Sequence, residues 1–282
     1  MREGSSLAAA RASRRGARGW LAEAGDAVVS VFFPAGCRIC DKLVLRASRV
    51  PFCQECLESF EGPPEKKCEI CGQALGWLTA REGEALVCHA CQQKTYVFER
   101  ARSYGIYDGP LVRAIILLKW ERMEPLGDWF AGRLAEMVQR EAALLGADVV
   151  VPVPLHSDRE RQRGYNQASL ISKPLARKLG LPHKAVLLMR TRPRPDKQVL
   201  SLEERWESVR GAFATRPGSQ VDNKRVLLVD DVMTTGATLD ACARALLESG
   251  AKSVLGLTIA RAARNPLLAP DSGNLSSRIN AE

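Results

Sequence analysis

The stretch Val226–Leu239 reads VLLVDDVMTTGATL. Its four leading apolar residues suit a strand buried on both faces. Two adjacent aspartates, Asp230 and Asp231, then stand at the carboxyl end of that strand, where open α/β sheets bind ligands. Thr234, Thr235, Gly236, Ala237 and Thr238 follow, ahead of a helical pattern. A strand that enters a short glycine-containing loop before a helix makes a phosphate cradle, because amides at the helix start lack partners and the dipole favours an anion there. The threonine hydroxyls add donors. The carboxylates cannot serve the phosphate directly; they suit sugar hydroxyls or a magnesium-bound ligand. The stretch lacks the Gly-Lys-Ser/Thr ending of a P-loop and the alternating oxygen ligands of an EF-hand.

A second chemistry lies in the first hundred residues. Eight of the nine cysteines form CxxC pairs: Cys37/Cys40, Cys53/Cys56, Cys68/Cys71 and Cys88/Cys91. A CxxC turn aims two thiolates at one point, and two such turns complete a tetrahedral sulfur shell suited to structural zinc. A redox CxxC normally stands once, beside a strand–helix unit, and iron–sulfur ligation uses other spacings. The spacing does not fix which pairs share a metal. Consecutive pairing is favoured, since Pro63-Pro64 within EGPPEKK reads as a hinge; a cross-braced arrangement is the alternative. His89 reads as a turn residue and Cys242 as a core residue.

These residues need elements to position them. The 282-residue chain has room for one or two domains, and its 46% apolar and 26% charged residues are those of a globular protein. It has no run of 18 or more apolar residues, so no membrane span is expected. The net charge of +9 suits anionic ligands or nucleic acid as well as a plain basic surface. Part of it lies in residues 1–19, which hold five arginines and read as a disordered arm. The following WLAEAGDAVVSVFFPAGC carries Glu23 and Asp26 where a signal peptide would be apolar. It reads as an amphipathic helix of a cytoplasmic protein. Helical spacing covers YDGPLVRAIILLKW, LGDWFAGRLAEMVQREAALLG and NQASLISKPLARKLG, where Pro174 is expected to kink the helix. DVVVPVP, KAVLLMR, RVLLVDD and SVLGLTIA read as strands. This alternation predicts an α/β fold, a parallel sheet flanked by helices. TRPRPDKQVLSLEERW reads as a mobile loop leading into a short helix, and the tail 265–282 as disordered.

VLLVDDVMTTGAT resembles the phosphoribosyl pyrophosphate (PRPP) motif of type I phosphoribosyltransferases. The CxxC array, YDGPLVRAIILLKW, VPVPLHSDRERQRGYNQA, QVLSLEERWESVRGAF and the PRPP motif stand in the order seen in the ComF family, over about Trp20 to Ala263. The resemblance implies a double zinc ribbon over 20–95 and a type I phosphoribosyltransferase-like domain over 96–264. It implies that Asp230 and Asp231 hold the ribose hydroxyls, while Thr234, Thr235, Gly236, Ala237 and Thr238 wrap the 5′-phosphate. His156 and Arg159 would face the pyrophosphate, with Arg161, Arg163 and Gly164 to Gln167 beside them. DKQVLSLEER would be the loop that closes over PRPP, contacting it through Gln198 and Arg205. Mg²⁺ would accompany PRPP. Lys119 matches a family position, yet reads as a solvated lysine.

Two positions depart from the pattern. Ser208 stands where the family usually has Asn. Thr234 stands where purine-salvage relatives carry an acid, and a hydroxyl is no base near pH 7. Any acceptor is therefore not a purine base activated in that way. Family members are linked to DNA uptake in competence. The resemblance thus leaves two functions: a Mg²⁺-dependent phosphoribosyltransferase with an unidentified acceptor, or a PRPP- or nucleotide-sensing accessory protein. In the second, the ribbons and basic arm would touch single-stranded DNA or a helicase-like partner. Phe52, Phe60 and Trp77 near the cysteines read as core residues of a small domain rather than as base-stacking platforms.

Overall fold

The computed structural model describes residues 35–44, 50–76, 85–141, 144–193, 201–219 and 221–262. The basic arm, most of the helix expected from Trp20, Trp77, the 194–200 part of the expected closing loop (Gln198 included) and the tail 265–282 lie outside the described residues.

The chain forms two compact units, Met1–Phe60 and Glu61–Glu282. The division falls between the two cysteine tetrads, where the sequence reading groups both in one segment. The physical reason is burial: Cys68, Cys71, Cys88 and Cys91 share one apolar cluster with sheet residues such as Val149 and Leu228. In the first unit β1 (Ala35–Gly36) and β2 (Leu43–Val44) pair antiparallel around the turn that carries Cys37 and Cys40. Helix α1 (Gln54–Glu58) starts at Cys53.

The second unit opens with α2 (His89–Gln92) and β3 (Arg100–Ile106). Helices α3 (Gly109–Trp120) and α4 (Glu124–Arg140) follow, then β4 (Val149–Pro152), α5 (Ser157–Arg163) and α6 (Gln167–Leu179). The chain continues through β5 (Leu188–Arg190), α7 (Leu202–Glu207) and β6 (Phe213–Thr215) to β7 (Arg225–Met233), α8 (Ala237–Glu248) and β8 (Ser253–Arg261). Four strands form one wholly parallel sheet in the order β3-β8-β7-β4. β5 pairs antiparallel with β6 in a separate ribbon, so KAVLLMR is a strand, but outside the parallel sheet. Among the described residues no helix is long and apolar enough to cross a membrane.

The sequence explains this layering. β7 and β8 are central and covered on both faces, so Val226 to Val229 are all fully buried. One face, through Val149, Val151, Val226 and Leu228, packs with Leu239, Cys242, Ala243 and Leu246 of α8. Helix α6 packs on β4 and β7, and α4 packs on α6. Two glycines permit the close approaches. A Cβ on Gly256 would stand 3.2 Å from Leu239 Cδ1, so its absence lets α8 settle on β8. Gly127 of α4 faces a subtler feature. Pro174 lies inside α6 and has no N–H to give the Leu170 carbonyl. The helix nevertheless runs on from Gln167 to Leu179. The α4 backbone packs against that carbonyl, and a Cβ on Gly127 would lie 2.7 Å from Leu170 O.

Gly127→Ala should therefore force α4 off α6. Overpacking of this kind costs about 1–3 kcal/mol. Thermal unfolding followed by circular dichroism should show the Tm lowered by about 2–10 °C, whereas Gly132→Ala, with nothing within 4 Å of its Cβ position in the same helix, should leave it unchanged or raise it slightly.

Candidate functional site

The ends of β4 and β7 lie side by side, and the segments that follow them line a cavity of about 520 Å³. Asp230, Asp231, Thr234, Thr235, Ala237 and Thr238 form one wall of it. Gly236 is the N-cap of α8 with φ 85° and has no side chain with which to cap it. Its start therefore offers backbone amides and the positive end of the dipole to the cavity. Gly236 is also sterically required: a Cβ would stand 2.8 Å from both Met233 Cε and Tyr96 Cε1. Thr235 Oγ1 accepts the Ala237 amide at 3.2 Å, and Tyr96 Oη donates to Thr235 O at 2.8 Å.

The two aspartates differ in role. Asp230 Oδ1 accepts the Asp231 amide at 2.9 Å, which orients its carboxylate along the strand end. Asp231 is only 5% exposed, and Lys119 Nζ lies 3.2 Å from its Oδ2. That oxygen nevertheless receives no hydrogen bond. Lys119 is thus not the solvated lysine expected from sequence. It sits in the last turn of α3, lines the cavity and pairs with the buried carboxylate.

Cations occupy the other walls. Arg159 and Arg163 of α5, Arg190 of β5 and Arg205 of α7 all line the cavity. Arg205 Nη1 donates to Thr234 Oγ1 at 3.1 Å. Its helix is fixed at the start by a capping box between Ser201 and Glu204. Arg163 lies 4.7 Å above the Trp120 ring and donates to Gln167 Oε1. Burial lowers its pKa, against the opposing pull of Asp231.

The RGYNQ run is mostly scaffold. Gly164 ends α5 in the left-handed region. Tyr165 Oη donates to Leu118 O at 3.0 Å and accepts the Arg122 amide at 2.9 Å, clamping the end of α3. Asn166 caps α6 and donates to Val153 O at 3.0 Å. His156 caps α5, and Arg161 pairs with Asp158; neither lines the cavity. Ser208 does line it, and its hydroxyl donates to Arg205 O at 2.8 Å. Sequence reasoning missed Arg190, Trp120, Tyr107 and Tyr96. Trp120 carried a legible signal only in retrospect: an aromatic ring at a helix end that is 69% exposed.

The eight cysteines fall into two tetrads, Cys37/40/53/56 and Cys68/71/88/91, with all sulfurs of each within 4.8 Å of one another. This is the consecutive grouping. A tetrahedral zinc with Zn–S near 2.3 Å requires S···S edges of about 3.8 Å. Cys40–Cys53 and Cys71–Cys88 are each 3.6 Å apart, so the donor set fits a zinc ion. Both tetrads are built alike. The residue after the first pair is left-handed, Asp41 at φ 61° and Gly72 at φ 68°. The second pair opens a short helix whose N-cap is its first cysteine, Cys53 or Cys88. In the second tetrad Cys68 Sγ accepts the Cys71 and Cys88 amides at 3.5 and 3.4 Å. Hydrogen bonds from the Cys71 and Cys91 thiols, and then these amides, hold Cys68 far below the ordinary thiol range. The Cys71 thiol is pushed up to about 12, chiefly by Cys68. Arg261, at the end of β8, reaches Cys71 Sγ at 3.6 Å and Gln73 Oε1 at 3.1 Å. Cys242 is fully buried under β7, as a core residue is.

A parallel sheet with flanking helices, a helix start after a strand that ends in two aspartates, and a rim of arginines define a phosphoribosyltransferase-type fold. The family model for the phosphoribosyl transferase domain matches residues 166–272. Among curated proteins, "DNA utilization protein YhgH" of Salmonella typhi is 31% identical over 224 residues, covering 78% of this chain and 94% of that protein. "Competence protein F" of Haemophilus influenzae is 29% identical over 215 residues, 74% of this chain and 89% of that one. "Competence protein ComFC" of Bacillus subtilis is 36% identical over 218 residues, 71% and 85%. The chain belongs to this ComF family.

Elemental analysis of the purified protein should find about two zinc ions per chain. Cys68→Ser/Cys71→Ser should reduce this to about one and lower the Tm, because its sulfurs lie in the apolar cluster of the second unit.

Proposed function

We propose that the cavity binds PRPP with Mg²⁺ and that the protein transfers the phosphoribosyl group to an acceptor. The observation that carries this reading is that the Asp230–Asp231 carboxylates and the start of α8 line one cavity. A ligand that satisfies both needs hydroxyls next to a phosphate, which is the chemistry of a ribose 5-phosphate. Asp230 and Asp231 would accept from the ribose hydroxyls. Thr234 to Thr238 would take the 5′-phosphate through amides and hydroxyls. Arg159, Arg163 and Arg205 would face the diphosphate.

The chemistry follows from where the charges stand. Breaking the bond from C1′ to pyrophosphate builds positive charge on the ribose and negative charge on the leaving group. The aspartates oppose the first and the arginines the second, in a partly enclosed site where such interactions are strengthened. Mg²⁺, when bound with the diphosphate, supplies further charge neutralisation there, and the carboxylates fit its preference for oxygen donors. Residue 234 is a threonine, so the loop contributes no base, and the acceptor must be a nucleophile without one. The names of the relatives tie them to competence and DNA utilization, and we place this chain in the same setting.

Isothermal titration with PRPP and MgCl₂ should give a 1:1 isotherm for the wild type. Asp230→Asn/Asp231→Asn should weaken it by at least about 50-fold, since two charge-assisted bonds are lost. Equal affinity of the two proteins would sink the assignment. Transfer itself is read as pyrophosphate release against a panel of amines and bases; release that is independent of every acceptor, or absent with all, would leave binding without transfer.

A further inference from the structure

The second cysteine tetrad and the phosphate loop meet through one residue. The chain leaves α2 by a tight turn, with the Thr95 amide bonded to Ala90 O at 3.1 Å, and reaches Tyr96 five positions after Cys91. The Tyr96 hydroxyl donates to Thr235 O at 2.8 Å. Its ring stacks on Phe98 at 4.7 Å and on Trp206 of α7 at 6.0 Å. The same ring fills the space where a Gly236 Cβ would be. One residue further, the Val97 amide donates to Asp240 Oδ1 at 2.7 Å, and Asp240 is buried in the first turn of α8.

A trans peptide is planar, and its C=O and N–H point opposite ways. Tying the Thr235 carbonyl to Tyr96 therefore fixes the Gly236 N–H pointing away from Tyr96. Glycine at φ 85° cannot hold that orientation on its own, because it tolerates many others. The Tyr96 side also depends on its neighbours. Residues 92–98 are held by β3 at one end, where the Glu99 amide bonds to Val254 O at 2.8 Å, and by α2 at the other. A helix of four residues has little stability alone; Cys88 and Cys91 tie this one to the tetrad.

We propose that Tyr96 is a positioning residue for the phosphate loop, and that through it the second metal centre sets the affinity of the site for its phosphorylated ligand. The inference rests on the PRPP reading above and adds the residue and the metal site that hold the loop ready. The coupling must be reciprocal: if zinc in this tetrad favours ligand binding, ligand must favour zinc retention by the same factor.

The test compares the full-length wild type with Tyr96→Phe, which keeps the ring stack and the contact at Gly236 and removes only the bond to Thr235. Titration with PRPP and MgCl₂ should show binding about 3- to 10-fold weaker in Tyr96→Phe, the usual worth of one such bond, with zinc content and Tm unchanged. In a chelator competition PRPP should slow the loss of one of the two zinc ions from the wild type. Cys68→Ser/Cys71→Ser should lack that protected ion, and the protection should shrink in Tyr96→Phe. No PRPP binding by the wild type would overturn this inference together with the PRPP reading. Wild-type binding with an equal Kd in Tyr96→Phe would overturn this inference alone. Zinc loss from Tyr96→Phe would also overturn it, by making Tyr96 part of the tetrad's own fold.

Discussion

A carboxylate held inside an apolar sheet is the constraint from which the site follows. Asp231 sits in β7, where Val226 to Val229 are fully buried, and is itself almost wholly enclosed. Such a group costs several kcal/mol unless it is paired. The pairing arrives from a distant element, since Lys119 stands at the end of α3. Its position is set by the Tyr165 hydroxyl, which bonds the backbone on both sides of it, at Leu118 and at Arg122. Tyr165 in turn precedes Asn166, the cap of α6, whose side chain holds the end of the strand run at Val153. One buried charge thus requires α3, α6 and β4 to meet at the end of β7.

The charges around the cavity are ordered rather than mixed. Carboxylates stand at the strand end, a helix start and hydroxyls stand beside them, and arginines from three separate elements stand on the rim. Arg205 bonds a threonine, and Arg163 rests on an indole and a glutamine amide. The contrast is Arg161, which pairs with Asp158 on the surface and takes no part in the cavity.

The strand, turn and helix around residues 234–238 were legible in the sequence because they lie within fourteen consecutive residues and each obeys a local rule. The cysteine tetrads were legible for the same reason. Lys119 was misread because a lysine at a helix end is usually solvated; only the fold brings it to Asp231. Tyr96 and Arg190 were invisible because their partners lie far along the chain. The edge strand β3 escaped too. Its RARSYGI shows no alternation, since Ser103 is buried and satisfied by Thr258 of β8 at 2.6 Å, a contact that only pairing reveals. Pro174 shows what a local rule leaves out: Gly127, on another helix, accommodates the carbonyl that the proline leaves behind.

The two tetrads show the same limit at the level of charge. They share the CxxC pairs, the turn and the helix start, so sequence treats them as equals. A zinc ion with four thiolates carries a net charge of −2. In the first tetrad Cys40 is exposed, and water can screen that charge. In the second, all four sulfurs are buried, and the protein itself must answer it. Arg261 is placed to do so, with its guanidinium against Cys71 and with Nε and Nη1 free of hydrogen bonds. A buried arginine without an acid partner would be a costly feature of the sheet alone. Beside a tetrathiolate centre it becomes the countercharge, and it stands on β8 at the residue that pairs with Met233, at the end of the strand leading into the phosphate loop.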